Sequence, residues 1–176
     1  MPAMGLVRSV TIVGVLLLTV LAGCDRPVER PGEPAARSAY SHDISADESG
    51  YYRPLTPVRS GDWTLSHLFI GQTAEFAAWE AGERIAGLAP VMLEFEDTAG
   101  ARTRVVPSRY TVTDSTVRFA GRSPALGEVA FDGRLDADAL ATARRNLGDE
   151  SAVVAGTLTV DGRTIRGVQL RWWAGD

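Results

Sequence analysis

The sequence predicts a mainly β domain: a small antiparallel barrel or sandwich of about seven to eight strands with two short helices. Three observations point there. From Tyr51 onward, short runs rich in Val, Ile, Thr, Phe and Trp alternate with polar residues. Gly, Asp and Pro punctuate these runs at close intervals. Only two segments carry the caps and spacing of helices.

Taken in order, Trp63–Ile70 is the first clear strand, with Trp63, Leu65, His67 and Phe69 expected on one face. Val91, Leu93 and Phe95 alternate with Met92, Glu94 and Glu96, the pattern of a half-buried strand. Arg104–Thr113 is β-rich, and Pro107 within it implies an edge or a bulge. A turn at Asp114-Ser115 leads to Val117 and Phe119, and Val129, Phe131 and Leu135 form a further inward row. Asp161-Gly162 is a two-residue hairpin signal joining Ala152–Val160 to Arg163–Trp173. In a regular register the apolar face of that hairpin switches near Gly156 and Gly167. A bulge or sharp coil there would restore one inner face.

The first helix is expected over Ala74–Gly82, capped by Thr73, with Phe76 and Trp79 adjacent on its surface. These two are expected to cover the outward member of the Trp172-Trp173 pair. The second runs from Ala137 to Leu147, with Asp136 as cap, Arg144 and Arg145 at its carboxyl end, and Gly148 as stop.

The amino terminus reads differently. Arg8 precedes an apolar run from Val10 to Leu21, too short to span a bilayer comfortably. It closes on Leu21-Ala22-Gly23-Cys24, which resembles the lipobox of bacterial lipoproteins. The resemblance implies a signal peptide at 1–23 and a lipid on Cys24, a membrane anchor made by lipoprotein-processing enzymes. Two or three acyl chains would hold the protein firmly, at roughly 0.8 kcal/mol per buried methylene. Localisation would then be the cell envelope, facing the periplasm. Asp25 resembles an inner-membrane retention signal. Residues 24–50, with Pro27, Pro31, Pro34 and no apolar period, read as the lipidated Cys24 followed by a disordered tether, and 51–176 as the folded domain. His42, Asp47 and Glu48 fall in this tether and read as solvated.

The chain's 18 basic residues are all Arg, and Cys24 is its only cysteine. Schiff-base chemistry and internal disulfides are thereby excluded. A net charge of −4 with no basic stripe gives no purchase on nucleic acid. Two histidines make a poor zinc inventory, so no metal and no cofactor beyond the lipid on Cys24 are expected. His67 reads as a core or rim histidine, Glu94/Glu96 as an outward strand row, and Asp136/Asp138 as a helix start, so no catalytic set is expected.

Gly61-Asp62-Trp63 resembles the Gly-x-Trp of lipocalins and related calycin barrels. That likeness implies a barrel closed by Trp63 with an Arg over it, and Arg171 is the residue placed for that role. Phe131–Asp136 and Gly156–Gly162 resemble stretches of the lipocalin-like polyisoprenoid-binding family. The expectation is a non-catalytic module for an apolar or lipid-like ligand, in a cavity lined by Trp63, Leu65, Phe95, Phe119, Phe131 and Leu170. The alternative is an envelope protein-interaction module, an assembly accessory or an enzyme inhibitor, with a solid core and an exposed apolar patch.

Overall fold

The computed structural model describes residues 38–174, which form a curled, barrel-like β-sheet with two helices. Cys24, Asp25 and the apolar run before them lie outside the described residues.

Among the described residues eleven strands occur in chain order: β1 (Tyr40–Asp43), β2 (Gly50–Pro54), β3 (Arg59–Ser60), β4 (Trp63–Ile70), β5 (Val91–Asp97), β6 (Arg102–Val105), β7 (Pro107–Thr113), β8 (Thr116–Ser123), β9 (Gly127–Leu135), β10 (Val154–Val160) and β11 (Arg163–Trp173). Helix α1 (Thr73–Glu80) connects β4 to β5, and α2 (Ala137–Arg145) connects β9 to β10. The sheet runs β1-β7-β8-β9-β10-β11-β2-β4-β5-β6, with β3 paired to β4. All pairings are antiparallel except β1 with β7, which is parallel.

Pro107 marks a break in the sheet. The run expected as one strand is two: β6 pairs with β5, and β7 pairs with β8. Proline brings no N–H to the ladder, and the register shifts between Pro107 and Arg109. Gly121 lies opposite Pro107, and a Cβ there would stand 2.3 Å from the Val106 carbonyl oxygen. Only glycine lets β8 come this close to the kink. Beyond it β6 meets β8, where the Thr103 and Ser123 hydroxyls are 3.3 Å apart.

The last hairpin follows its sequence signals. Asp161 and Gly162 both have positive φ, as a type I′ turn requires. Leu158 pairs with Ile165, the register then shifts at Gly156/Thr157, and Gly167, with φ +71°, is the extra residue. The bulge puts Val154, Leu158, Val168 and Leu170 together in one buried face.

A third register shift was not anticipated. Leu65 pairs with Phe95 and His67 with Glu94, so Ser66 is the extra residue in β4. Side chains therefore change faces within the strand. Leu65, Leu68 and Ile70 enter the core, while His67 and Phe69 turn to the opposite face. The expected single face for Trp63, Leu65, His67 and Phe69 is thus corrected.

Order begins earlier than expected. Tyr40–Asp43, assigned to the tether, forms β1, and Glu48 is buried. The signal was weak because β1 borrows its stability from distant partners. Its backbone pairs with β7, and Tyr40 and His42 pack on α1. His42 stacks on Phe76 at 5.2 Å and meets the Glu80 carboxylate at 3.0 Å, so it is not a solvated loop residue.

Phe76 and Trp79 are buried against β1 and β7, through Tyr40, His42 and Tyr110, and do not cover the tryptophan pair. Trp172 is covered from α2 instead: Arg144 lies 4.9 Å from its ring, and its Nε1 donates to the Ser49 carbonyl. Asp136 caps α2 by accepting from the Ala139 N–H, as expected. The residue that caps α1 is Gln72 rather than Thr73, its N–H donating to the Glu75 carboxylate.

Candidate functional site

The Ser66 bulge gives the sheet a second aromatic face. On it, Trp173 of β11 pairs with Tyr51 of β2, Tyr51 with Phe69 of β4, and Phe69 with Met92 of β5. The ring centroids of Tyr51 lie 5.7 Å from Trp173 and 5.3 Å from Phe69. Two residues along the strands, about 7 Å away, runs a polar row. His67 pairs with Glu94, and Glu94 with Arg104.

The segment after α1 forms the opposite wall. Residues 83–90 bring Arg84, Ile85, Leu88 and Pro90 to the edge of this face, and α1 adds Glu75 and Trp79. Arg84 is held on the Trp79 ring at 4.0 Å, faces the Tyr40 ring at 5.1 Å, and donates to the Trp79 carbonyl. Ile85 and Leu88 are 67% and 45% exposed. Between wall and sheet lies a half-open groove of about 710 Å³. That volume is within the range of small-molecule sites.

Charge in the groove is uneven. Glu94 is buried, and its carboxylate accepts from Arg104 Nε at 2.7 Å, with Arg102 Nη1 at 3.9 Å. Arg102 also donates from Nε to Glu96 at 3.0 Å. His67 stands edge-on to Tyr51 at 5.0 Å. Burial holds its pKa below the ordinary histidine value. Glu94 opposes that shift, while Arg104, Arg53 and Arg102 reinforce it. The imidazole is therefore neutral at pH 7 and serves as a polar, uncharged neighbour of the arginines. No cluster of three or more His, Cys, Asp or Glu suited to a metal occurs among the described residues.

The residues singled out from the sequence fall elsewhere. Gly61 occupies the turn between β3 and β4 with φ +60°. Trp63 is half-buried and packs on the core beside Asp97. Arg171 does not reach Trp63. It stands opposite Arg53 of β2, and its Nη1 donates to Glu150 at 2.8 Å. Trp63 lies four residues from His67 along β4, at the far end of that strand from β2's partners. The indoles that do carry a guanidinium are Trp79, Trp172 and Trp173, the last under Arg53 at 4.7 Å. Leu65, Phe95, Phe119, Phe131 and Leu170 are all buried in the core and line none of this groove. Phe119 and Phe131 also reach a smaller hollow of about 460 Å³ with a polar rim that includes Arg109, Arg118 and Asp132.

Sequence reasoning missed Tyr51, Phe69, Met92 and Trp173 as one surface. Strand alternation marked Met92 as outward. Only the bulge at Ser66 aligns Phe69 with it.

No protein-family model, curated protein or solved structure matches this chain.

Proposed function

We propose that the folded domain is a non-catalytic binding module for an apolar or lipid-like ligand, and that the groove beside β4 is its site. One observation carries this reading. The row Trp173, Tyr51, Phe69 and Met92 lies on the face of the sheet opposite Leu68 and Ile70, and it lines one groove with a segment that leaves Ile85 and Leu88 exposed. Aromatic and aliphatic groups facing each other across a gap exclude water only when something apolar fills it.

On the sequence evidence at Leu21–Cys24, we place this module in the cell envelope, tethered by a lipid on Cys24. The interaction-module reading has an observation of its own in Ile85 and Leu88, whose exposure suits a partner's apolar contact as well.

Native mass spectrometry of the full chain, extracted from its own envelope in mild detergent, separates these readings. The ligand reading expects an added non-protein mass that is lost in Leu88→Asp. A protein partner lost in the same variant supports the second reading. The bare chain in both samples counts against the groove as a site. Metabolic labelling with a fatty acid tests the anchor: the label should enter the wild type and be absent from Cys24→Ser.

A further inference from the structure

The groove is polarised along the strand direction. At the end nearest α1, Glu75 lines it, its carboxylate tied to the Gln72 N–H at the helix start. Past the aromatic row, the other end presents Arg102 and Arg104. Both arginines are held through Nε. Glu96 accepts from Arg102 Nε and Glu94 accepts from Arg104 Nε. The Nη atoms of Arg104 donate no further hydrogen bond among the described residues. The side chains of Arg102 and Arg104 are 67% and 52% exposed, so the Nη donors of Arg104, and of Arg102 where they are not turned to Glu94, are available to a ligand in the groove. A guanidinium fixed through Nε presents its remaining N–H pair as a fork suited to a carboxylate or phosphate.

We propose that the ligand is a single-chain amphiphile with an anionic end. Its carboxylate or phosphate sits on Arg102 and Arg104, and its chain lies across Phe69, Tyr51 and Trp173. This rests on the groove being a binding site, and it adds the ligand's charge and direction. The reverse orientation places the anion on the α1 side, where Glu75 and Glu83 oppose it by like charge and Arg84 is already stacked on the Trp79 ring.

The test is a titration of the full chain with dodecanoate and with dodecanol, followed by tryptophan fluorescence, since Trp173 and Trp79 line the groove. The two probes share a chain and differ in the charge of the head. Dodecanoate should bind about tenfold more tightly, the scale of one charge-assisted contact at a partly exposed site. In Arg102→Gln and Arg104→Gln that preference should fall to about twofold or less. Arg102→Gln leaves the Arg104–Glu94 bond in place, so it reports on the anion without unpairing a buried carboxylate. Dodecyl phosphate in place of dodecanoate distinguishes a phosphate head from a carboxylate one, by which of the two loses more in Arg104→Gln. Equal binding of dodecanoate and dodecanol overturns the anionic end and leaves the groove standing. Failure of both probes to bind overturns the groove as well. A dodecanoate preference that survives both substitutions assigns the anion to other residues and refutes this placement.

Discussion

Glu48 offers the sharpest test of how this fold is held. Its side chain is 3% exposed, and neither carboxylate oxygen has a hydrogen-bond partner among the described residues. Its own carbonyl accepts from the Tyr52 hydroxyl, which fixes the backbone beside it. Burial, with the Asp114 charge acting in the same direction, pushes the Glu48 carboxyl up to about 7 from an ordinary 4.5. The folded state therefore favours the protonated acid. Stability from this group is complete below about pH 4.5, falls as the pH rises, and levels off above about pH 7. The total loss is about 3 kcal/mol, at 1.36 kcal/mol per unit. Glu48→Gln cannot ionise and removes that slope. Asp47, Asp114 and Asp149 act with the opposite sign, since hydrogen bonds from Ser49, Ser45 and Ser151 hold their pKa values down. Their contribution is present at neutral pH, is lost in acid, and is common to both proteins. Urea denaturation at pH 4 and pH 8 isolates Glu48 as a difference of differences. Between these pH values the wild type should lose about 3 kcal/mol more than Glu48→Gln, a relative midpoint shift of about 1–2 M urea. Parallel pH profiles would refute the burial of an unpaired carboxyl here.

Two glycines should respond differently to alanine. Gly121→Ala forces a Cβ against the Val106 carbonyl and should cost about 2–3 kcal/mol in urea titrations, with loosening of the β6–β7 kink. Gly167→Ala meets no atom within 4 Å but must hold φ +71°, so its cost is conformational, about 1 kcal/mol; equal costs at the two sites would contradict this division. Arg171→Gln breaks only an exposed pair with Glu150 and should change stability by about 0.5 kcal/mol or less. A loss well above 1 kcal/mol would restore a structural role like the barrel-closing arginine expected from sequence.

The β class and both helices could be read from local signals: the alternation of Val91–Glu96, the Asp161-Gly162 turn, the cap at Asp136. The hairpin bulge could also be read, because the apolar face switched beside two glycines. What could not be read depends on partners distant in sequence. β1 has four residues and no apolar run, yet β7 and α1 hold it from either side. The Trp63–Arg171 pairing failed for the same reason. The two ends of the domain share a sheet, but β2 intervenes, and its register sets Arg171 against Arg53. A three-residue likeness carries no register, so it could not have shown this.

The bulge at Ser66 had no such mark. Trp63–Ile70 contains neither glycine nor proline, and its side chains fit a regular strand as well as a bulged one. The constraint comes from β5. With Phe95 opposite Leu65 in the core, an unbroken pairing would place Leu68 and Ile70 on the outer face and send His67 inward. One extra residue reverses this. It buries Leu68 and Ile70 beside Leu93 and Val91, and it lifts His67 and Phe69 out toward Glu94 and Met92. Core packing thus accounts for the bulge without any reference to a ligand. The groove is nevertheless built from what the bulge displaces: Phe69 completes the aromatic row, and His67 joins the polar one. Deleting Ser66 would therefore disturb the core and the candidate site together. For that reason the site is better tested at Arg102 and Leu88, whose side chains border the groove and stand clear of the core.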